Sequence, residues 1–265
     1  MDMDLSRIVR TGLLLVAVVA LSGCYEPEPS PQILGEQTPF RLPPPQKPPV
    51  RQRLVGRSVQ GRPITVQVLG EGEDTVLIMA SIHGNEGAGT PLVNWLVEHL
   101  RNNQHLLASR RIVLMAVANP DGLAANTREN IRGIDLNRNF EAANRVDNST
   151  NGFRPLSEPE SRALKSVMEQ YKPGRIVSIH QPLNCIDYDG PGRALATRMA
   201  QYCHLPVKKL GGRPGSLGSY TGDGLGIPTI TFEMPANASQ LSDGALWRTY
   251  GKALVAAIVY PEHVL

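Results

Sequence analysis

Residues 74–86 read DTVLIMASIHGNE, an unbroken apolar run that ends in a His and a Glu. A short apolar run of this kind is typical of a strand that is buried on both faces. A His or a Glu after a strand is usually only a local polar group, so His83 and Glu86 alone do not establish a metal site. A catalytic metal centre needs at least one more ligand and an acid/base group beside it.

Two other apolar runs end in side chains of the same kinds. RIVSIH ends in His180, and TITFE ends in Glu233. Ligands of open α/β sheets bind outside the carboxyl ends of the strands, where these groups would meet. Two imidazoles and one carboxylate make a zinc site with an open position for water. The pattern therefore predicts one Zn²⁺ per chain on His83, Glu86 and His180, with Glu233 left as the acid/base.

Strands and helices alternate along the chain from Arg51 onward. Between the apolar strands, helical spacing of apolar residues or a capping signal predicts helices at residues 86–102, after Ser157, at 191–203 and at 244–259. NPDG at 119–122 predicts a turn, and the polar stretch that follows it predicts a long functional loop. The alternation predicts an α/β fold, in which a mixed, mostly parallel sheet carries helices on both faces.

The first 50 residues differ in composition from the rest of the chain. Residues 1–23 have a basic start and a short apolar stretch, which predicts a signal peptide. Leu-Ser-Gly-Cys ending at Cys24 resembles the bacterial lipobox, in which the Cys is lipidated; an ordinary signal peptide or membrane anchor is the alternative. Residues 24–50 are Pro-rich and predict an extended tether. The catalytic domain is expected at 51–265.

These features predict a protein of the cell envelope. A lipid on Cys24 would hold the chain in the membrane. Tyr25 follows in place of an Asp, which by resemblance to known lipoproteins favours the outer membrane, with the domain facing the periplasm. In that oxidising compartment Cys185 and Cys203 form either a disulfide or two thiols, and the sequence does not decide between them.

The overall charge argues against nucleic acid as a partner. Lys and Arg total 27 and Asp and Glu total 24, which gives a net charge of +3 without a basic block. Aromatic residues make up only 5% of the chain, too few for a platform on which bases stack. The sequence does not predict an oligomeric state.

A longer pattern connects the metal-binding segments. It runs HGNE, NPDG, Arg128, GIDLNRNF, His180 and TFE, in that order. This order resembles the zinc carboxypeptidase superfamily over nearly all of residues 55–260. HQPLNCID, which begins at His180, and PGSLGSYTGD, which begins at Pro214, resemble the murein peptide amidases within it. The resemblance implies the superfamily's α/β fold and its peptidase activity.

The resemblance also assigns roles to single residues. It makes His83, Glu86 and His180 the zinc ligands. It makes Glu233 the group that takes a proton from the attacking water and passes it to the leaving amine. Arg128 polarises the scissile carbonyl and stabilises the oxyanion, to which a preorganised cation contributes a few kcal/mol.

The substrate implied by the resemblance is a murein peptide, cut at the γ-D-glutamyl–meso-diaminopimelate bond. Asn137 and Arg138 match the pair that binds the carboxylate of the released residue, for which a guanidinium beside an amide is suited. Diaminopimelate carries a further ammonium group. Asp187, Asp189 or Asp223 is expected to meet this ammonium.

One departure from the family concerns a mobile Tyr that digestive carboxypeptidases carry before the catalytic Glu. The corresponding spacing falls on Gly211 and Gly212. Tyr220 lies nearer to the Glu and is predicted to contact substrate in place of that Tyr, with a packing role as the alternative. Asp135 and Asn139, on either side of the carboxylate-binding pair, are predicted to brace the loop.

Two other functions remain open at this level. One is an N-acyl amino-acid deacylase of the aspartoacylase type, which also uses an HGNE-like zinc pair. The other is a lipoprotein that binds wall peptides without cleaving them. The NPDG and DLNRNF motifs favour the peptidase over the deacylase. The presence of all four metal and acid/base residues argues against a silent binder.

Overall fold

The computed structural model describes residues 47–262, and a mixed sheet forms the centre of this range. Eight strands are present among these residues: β1 (Arg51–Arg57), β2 (Pro63–Leu69), β3 (Asp74–Ala80), β4 (Arg110–Met115), β5 (Arg175–His180), β6 (Leu183–Asp189), β7 (Val207–Lys208) and β8 (Thr229–Pro235). Their order across the sheet is β1-β2-β4-β3-β5-β8-β6-β7.

The four central strands, β4, β3, β5 and β8, run parallel to one another. Every residue of β5 is buried, as is nearly all of β3, which explains their continuous apolar sequences. The outer strands β1, β2 and β6 pair antiparallel to their inner neighbours. The predicted fold class, a mixed and mostly parallel sheet, is confirmed.

Helices cover both faces of the sheet. Five α-helices lie in the described range: α1 (Gly89–Asn102), α2 (Pro120–Ala125), α3 (Pro159–Tyr171), α4 (Arg193–Ala200) and α5 (Asp243–Val259). Apolar side chains of α1, α4 and α5 pack in one core cluster, and those of α3 pack in a second cluster on the other face. Each large apolar side chain buried in this way contributes roughly 1.5–3 kcal/mol.

Two local predictions differ from the structure. NPDG does not form a simple turn but begins α2, because the Asn119 side chain accepts a hydrogen bond from the Gly122 N–H and Pro120 occupies the first helical position. Ser157 does not cap α3. The cap residue is Glu158, and the Ser157 hydroxyl donates to its carboxylate instead.

Strand β6 is one of three strands that the sequence analysis did not identify; the others are β1 and the two-residue β7, which form the two edges of the sheet. The sequence of β6, LNCIDYD, contains two Asp side chains, Asp187 and Asp189, that are buried. Buried strand positions are usually apolar, so these carboxylates hide the alternation by which a strand is recognised. Because buried carboxylates are costly, the burial of Asp187 and Asp189 suggests that β6 has a functional role.

The predicted signal peptide, Cys24 and most of the tether lie outside the described residues. The last tether residues are described: Lys47 pairs with Glu98 of α1, and Val50 packs against the core beside that helix. Within residues 47–262, no helix has both the length and the apolar character needed to cross a bilayer. Cys185 and Cys203 are separate thiols, so the disulfide alternative is not realised.

Candidate active site

Three neighbouring strands bring the predicted chemical groups to one edge of the sheet. His83 and Glu86 follow the end of β3, His180 is the last residue of β5, and Glu233 lies near the end of β8. β5 pairs with β3 on one side and with β8 on the other. In the second pair His180 lies directly opposite Glu233, so a potential ligand and a potential proton acceptor share one register position.

The groups His83, Glu86 and His180 converge on a single point. The Nδ1 atom of His83 lies 2.8 Å from one Glu86 carboxylate oxygen, and the Nδ1 atom of His180 lies 2.9 Å from the other. The three ligand atoms lie within 4.8 Å of one another. All three side chains are buried, and two imidazole nitrogens with a carboxylate oxygen are a donor set that Zn²⁺ takes. These residues therefore fit a zinc ion.

The outer nitrogen of each imidazole is also engaged. His83 Nε2 lies 3.1 Å from an Asp135 oxygen, and His180 Nε2 lies 2.9 Å from the Ser178 hydroxyl. A carboxylate at Nε2 holds the proton on that nitrogen and leaves the Nδ1 lone pair to face the metal position. Burial opposes the ionisation of Asp135, but its hydrogen bond with His83 outweighs this and lowers the Asp135 pKa.

The carboxylate of Glu86 is kept ionised. Burial alone would raise its pKa, but the close contacts of its two oxygens with the His180 and His83 imidazoles outweigh burial and hold the pKa well below the usual range. The backbone N–H of Gln181 also donates to this carboxylate, at 3.2 Å. An ionised carboxylate is the form that binds a metal cation.

Two glycines allow the His83–Glu86 turn to lie where it does. A Cβ atom on Gly84 would stand 1.9 Å from the carbonyl carbon of Gly122 in α2. A Cβ atom on Gly89 would stand 2.7 Å from the Cβ of Ala80 in β3. Only glycine permits both approaches. The turn therefore lies against α2, and the start of α1 lies against β3.

Arg128 joins this arrangement from the long loop. Its Nε donates to Asp135 at 3.0 Å, and its Nη1 donates to Glu86 at 3.2 Å. Asp135 thus holds His83 with one oxygen and Arg128 with the other. The guanidinium is partly exposed and lines the same cleft as the three potential metal ligands.

Asn137 and Arg138 lie on a short 3₁₀ turn, Leu136–Arg138, that Asp135 caps. The side-chain oxygen of Asn137 accepts from the Leu217 N–H at 2.9 Å, so its amide N–H₂ is the end left to donate. Arg138 donates to the Asn137 carbonyl and lines the same cleft. Burial lowers the Arg138 pKa, yet a guanidinium remains charged at neutral pH.

Glu233 lines the same cleft from β8, the strand beside β5. One of its oxygens accepts from the Leu183 N–H at 3.3 Å, and the side chain is largely buried. Burial raises its pKa above the ordinary value for Glu. A carboxylate of raised pKa is a stronger proton acceptor than a solvated one, as general base catalysis requires.

The cleft has a volume of about 440 Å³ and extends beyond the metal position to β6. Asp187 and Asp189 line this far end, and burial raises the pKa of both carboxyl groups. Asp187 accepts from the Leu210 N–H at 2.8 Å, and Asp189 lies 3.3 Å from the Lys209 ammonium. Asp223 is exposed and does not line the cleft, so it is not placed to meet the same group.

Tyr220 lies elsewhere and not in the cleft. Its ring stacks on Phe140 with the centroids 5.8 Å apart, and the residue lines a separate surface depression with Leu225 and Ile227. The structure corrects the predicted substrate contact and shows the packing alternative. Asp135 does brace the loop as predicted, and Asn139 does so through bonds to Asn151 and Ser157.

The structure adds cleft residues that the sequence analysis did not select. Ser178 precedes His180 by two positions, and the period of a strand places both on one face. That spacing is a signal that could have identified Ser178. Arg213 also lines the cleft, but it lies in an irregular Gly-rich loop where no periodicity indicates which way a side chain points.

Comparison with known proteins gives a consistent result. The family model described as zinc carboxypeptidase matches residues 46–188. Murein peptide amidase A of Escherichia coli strain K12 is 33% identical over 203 residues, which are 69% of this chain and 81% of that protein. Murein peptide amidase A of Vibrio campbellii is 29% identical over 208 residues, 71% of this chain and 80% of its own length.

A solved structure supports the same relationship. The crystal structure of murein-tripeptide amidase from Escherichia coli O157 superposes with a TM-score of 0.60 at 27% identity, covering 85% of this chain and 95% of that one. The family match, the relatives and the His-Glu-His group agree on a hydrolytic metallopeptidase. The chain belongs to the zinc carboxypeptidase family.

Proposed function

We propose that this protein hydrolyses the γ-D-glutamyl–meso-diaminopimelate bond of murein peptides. The observation that carries the proposal is the far end of the cleft, where buried Asp187 and Asp189 line the same cleft as Asn137 and Arg138. A leaving residue with a carboxylate at one end and an ammonium at the other is complementary to this arrangement. The relatives named murein peptide amidase support the same substrate class.

The chemistry assigned to the site begins with the cation that His83, Glu86 and His180 would hold. A zinc ion bound there supplies Lewis acidity and makes a water nucleophilic at neutral pH. Glu233 accepts the proton of the attacking water and then donates it to the leaving nitrogen. Arg128, fixed by Asp135 and Glu86, directs positive charge at the oxygen of the scissile carbonyl.

We assign binding of the leaving residue to the part of the cleft formed by Asn137, Arg138 and Asp187. The Asn137 amide and the Arg138 guanidinium offer donors to its α-carboxylate. The Asp187 carboxylate accepts a backbone hydrogen bond from Leu210 and lines the cleft, where we place the side chain of the leaving residue. An ammonium group there would neutralise a buried carboxylate, which is otherwise costly to keep charged.

We propose further that the protein works at the outer membrane and faces the periplasm, attached by a lipid on Cys24. The support is the sequence alone: the lipobox-like LSGC, the Tyr after it and the Pro-rich segment. Replacing Cys24 by Ala should move the protein from the membrane fraction to the soluble fraction. If the Pro-rich segment lets the enzyme reach the cell wall, shortening residues 25–46 while keeping Cys24 should alter the muropeptide profile of cells. An unchanged profile would contradict this role of the segment.

The direct test of the activity uses the full chain, purified in detergent and loaded with zinc. It is incubated with L-Ala–γ-D-Glu–meso-diaminopimelate, and the products are identified by mass spectrometry. The expected products are free diaminopimelate and L-Ala–D-Glu. Glu233→Gln is the matched inactive control.

Two results would contradict the proposal. Cleavage of N-acetyl amino acids without release of diaminopimelate would indicate a deacylase. Binding of the murein tripeptide without any product from the zinc-loaded enzyme would indicate a wall-peptide-binding protein. A lower kcat/KM for Asp187→Asn on the same peptide would link the activity to the far end of the cleft.

A further inference from the structure

We infer that Arg213 is a specificity-determining residue of the cleft, which binds a second carboxylate at the end of the leaving residue's side chain. Together with Asp187 it would select side chains that end in a zwitterionic amino-acid group, with ammonium and carboxylate on one carbon. This inference rests on the proposed function, since it concerns the leaving residue of that reaction. Arg213 would thus provide a positively charged subsite beside the negatively charged subsite at Asp187.

Three arginines of the described residues line the cleft, and two of them already have an assigned role. Arg128 is held by Asp135 and Glu86 in front of the metal position. Arg138 lies beside Asn137 on the turn assigned to the α-carboxylate. The Arg213 guanidinium makes no hydrogen bond or ion pair with the described residues, although it lines the same cleft. One positive group is therefore left for the substrate.

The backbone that carries Arg213 is fixed. Its carbonyl accepts from the Ser216 N–H at 3.0 Å and from the Ser219 hydroxyl at 2.9 Å. Two residues further on, Gly215 donates to the Asn144 side chain and accepts from the Phe140 N–H. The side chain thus projects from a held base, and ordering only its own rotamers would limit the entropic cost of binding a ligand.

The charge of Arg213 acts on both ends of the cleft. The Arg138 pKa is lowered first by burial and further by the positive charges of Arg128 and Arg213. The Asp187 pKa is raised by burial, against which the charges of Lys209 and Arg213 act. The backbone on either side of Arg213 contacts both groups: Leu210, three residues earlier, donates to Asp187, and a Cβ atom on Gly215, two residues later, would stand 2.3 Å from the Arg138 carbonyl oxygen. A ligand carboxylate on Arg213 would then lie beside a ligand ammonium on Asp187.

The chemistry of the three subsites specifies one class of leaving residue. The α-carboxylate goes to Asn137 and Arg138, the side-chain ammonium to Asp187 and the side-chain carboxylate to Arg213. A lysine side chain supplies the ammonium but not the second carboxylate. A diamino dicarboxylic acid, such as the diaminopimelate of the proposed substrate, supplies both.

The experiment compares two murein tripeptides that differ in one group. One carries diaminopimelate with a free side-chain carboxylate, and the other carries its side-chain amide, which has nearly the same shape. We expect the unaltered enzyme to prefer the free acid by about fivefold in kcat/KM, as for a partly exposed charged pair. Arg213→Ala should reduce this preference to about one through KM, and Arg213→Lys should restore part of it.

Lys208→Ala is the matched control, because it removes an exposed positive charge from β7 outside the cleft and should keep the preference. The inference is overturned if the enzyme cleaves acid and amide equally well, or if Arg213→Ala slows both to the same extent. If the enzyme cleaves neither tripeptide, it is the proposed function that fails. The two failures are therefore distinct.

Discussion

The metal cradle and the far wall of the cleft are built in different ways. The cradle consists of His83, Glu86 and His180, which are 2%, 6% and 3% exposed and lie at the ends of central strands. The wall around Leu210 and Arg213 is a Gly-rich loop, and Leu210 is 37% exposed. From this difference we expect the strand ends to fix the hydrolytic chemistry and the loop to contribute to the choice of leaving residue.

The strongest test of this division removes a cradle ligand. His180→Ala should lower the zinc content from about one equivalent per chain to near zero and abolish hydrolysis of every peptide, because two ligands do not hold the ion. Metal analysis and product release measure both effects. His204→Ala, which removes an exposed imidazole, should change neither. Retention of zinc by the His180 variant would show that the cradle is not the metal site.

Glu233→Gln should separate metal binding from proton transfer. Losing a general base slows catalysis by about 10² to 10⁴. The variant should bind zinc as before, since Glu233 is not one of the three converging ligands. The comparison is with Glu169→Gln, an exposed carboxylate of α3. If Glu233→Gln retained activity within tenfold of the unaltered enzyme, Glu233 would not be the general base.

A third prediction concerns the support beneath the cradle. Asp121 of α2 accepts from the Ser58 hydroxyl, the Gln60 N–H and Arg62, all in the β1–β2 turn. Burial raises its pKa, but these hydrogen bonds outweigh burial, so the pKa is lowered overall. Asp121→Asn should lower the free energy of unfolding by about 1–3 kcal/mol at neutral pH.

The sign of the pH effect follows from the lowered pKa. The stabilisation is complete above the pKa of the unfolded chain, about 3.9, and is lost as the pH falls through the lower folded value. The difference in unfolding free energy between the two proteins, measured by chemical unfolding, should therefore begin to shrink as the pH falls below about 4. Glu71→Gln, at the exposed ion pair with Arg51, should have little effect at any pH. A constant difference down to low pH would contradict the role of the ionised carboxylate.

The smallest expected effect is that of Tyr220→Phe. Because this ring stacks on Phe140 outside the cleft, kcat/KM should change by no more than about twofold. Tyr220→Ala should instead reduce thermal stability while the activity of the folded fraction persists. A tenfold loss of kcat in Tyr220→Phe would show that the Tyr220 hydroxyl takes part in catalysis.

The fold was predictable because the central strands β3 and β5 are largely apolar and buried on both faces. His180 and Glu233 were predictable for the same reason, since a His or a Glu at the end of such a run is conspicuous. β6 was not, because Asp187 and Asp189 occupy buried strand positions as polar groups. Arg213 was not either, because an irregular loop carries no periodicity from which a direction can be read.

The pairing of His180 with Glu233 across β5 and β8 has a consequence for heating. Their separation is set by hydrogen bonds of the central sheet, which open only in global unfolding, whereas loop contacts at the surface open at lower cost. As the temperature rises, discrimination between leaving residues should therefore decline first. Hydrolysis itself should continue until the sheet melts.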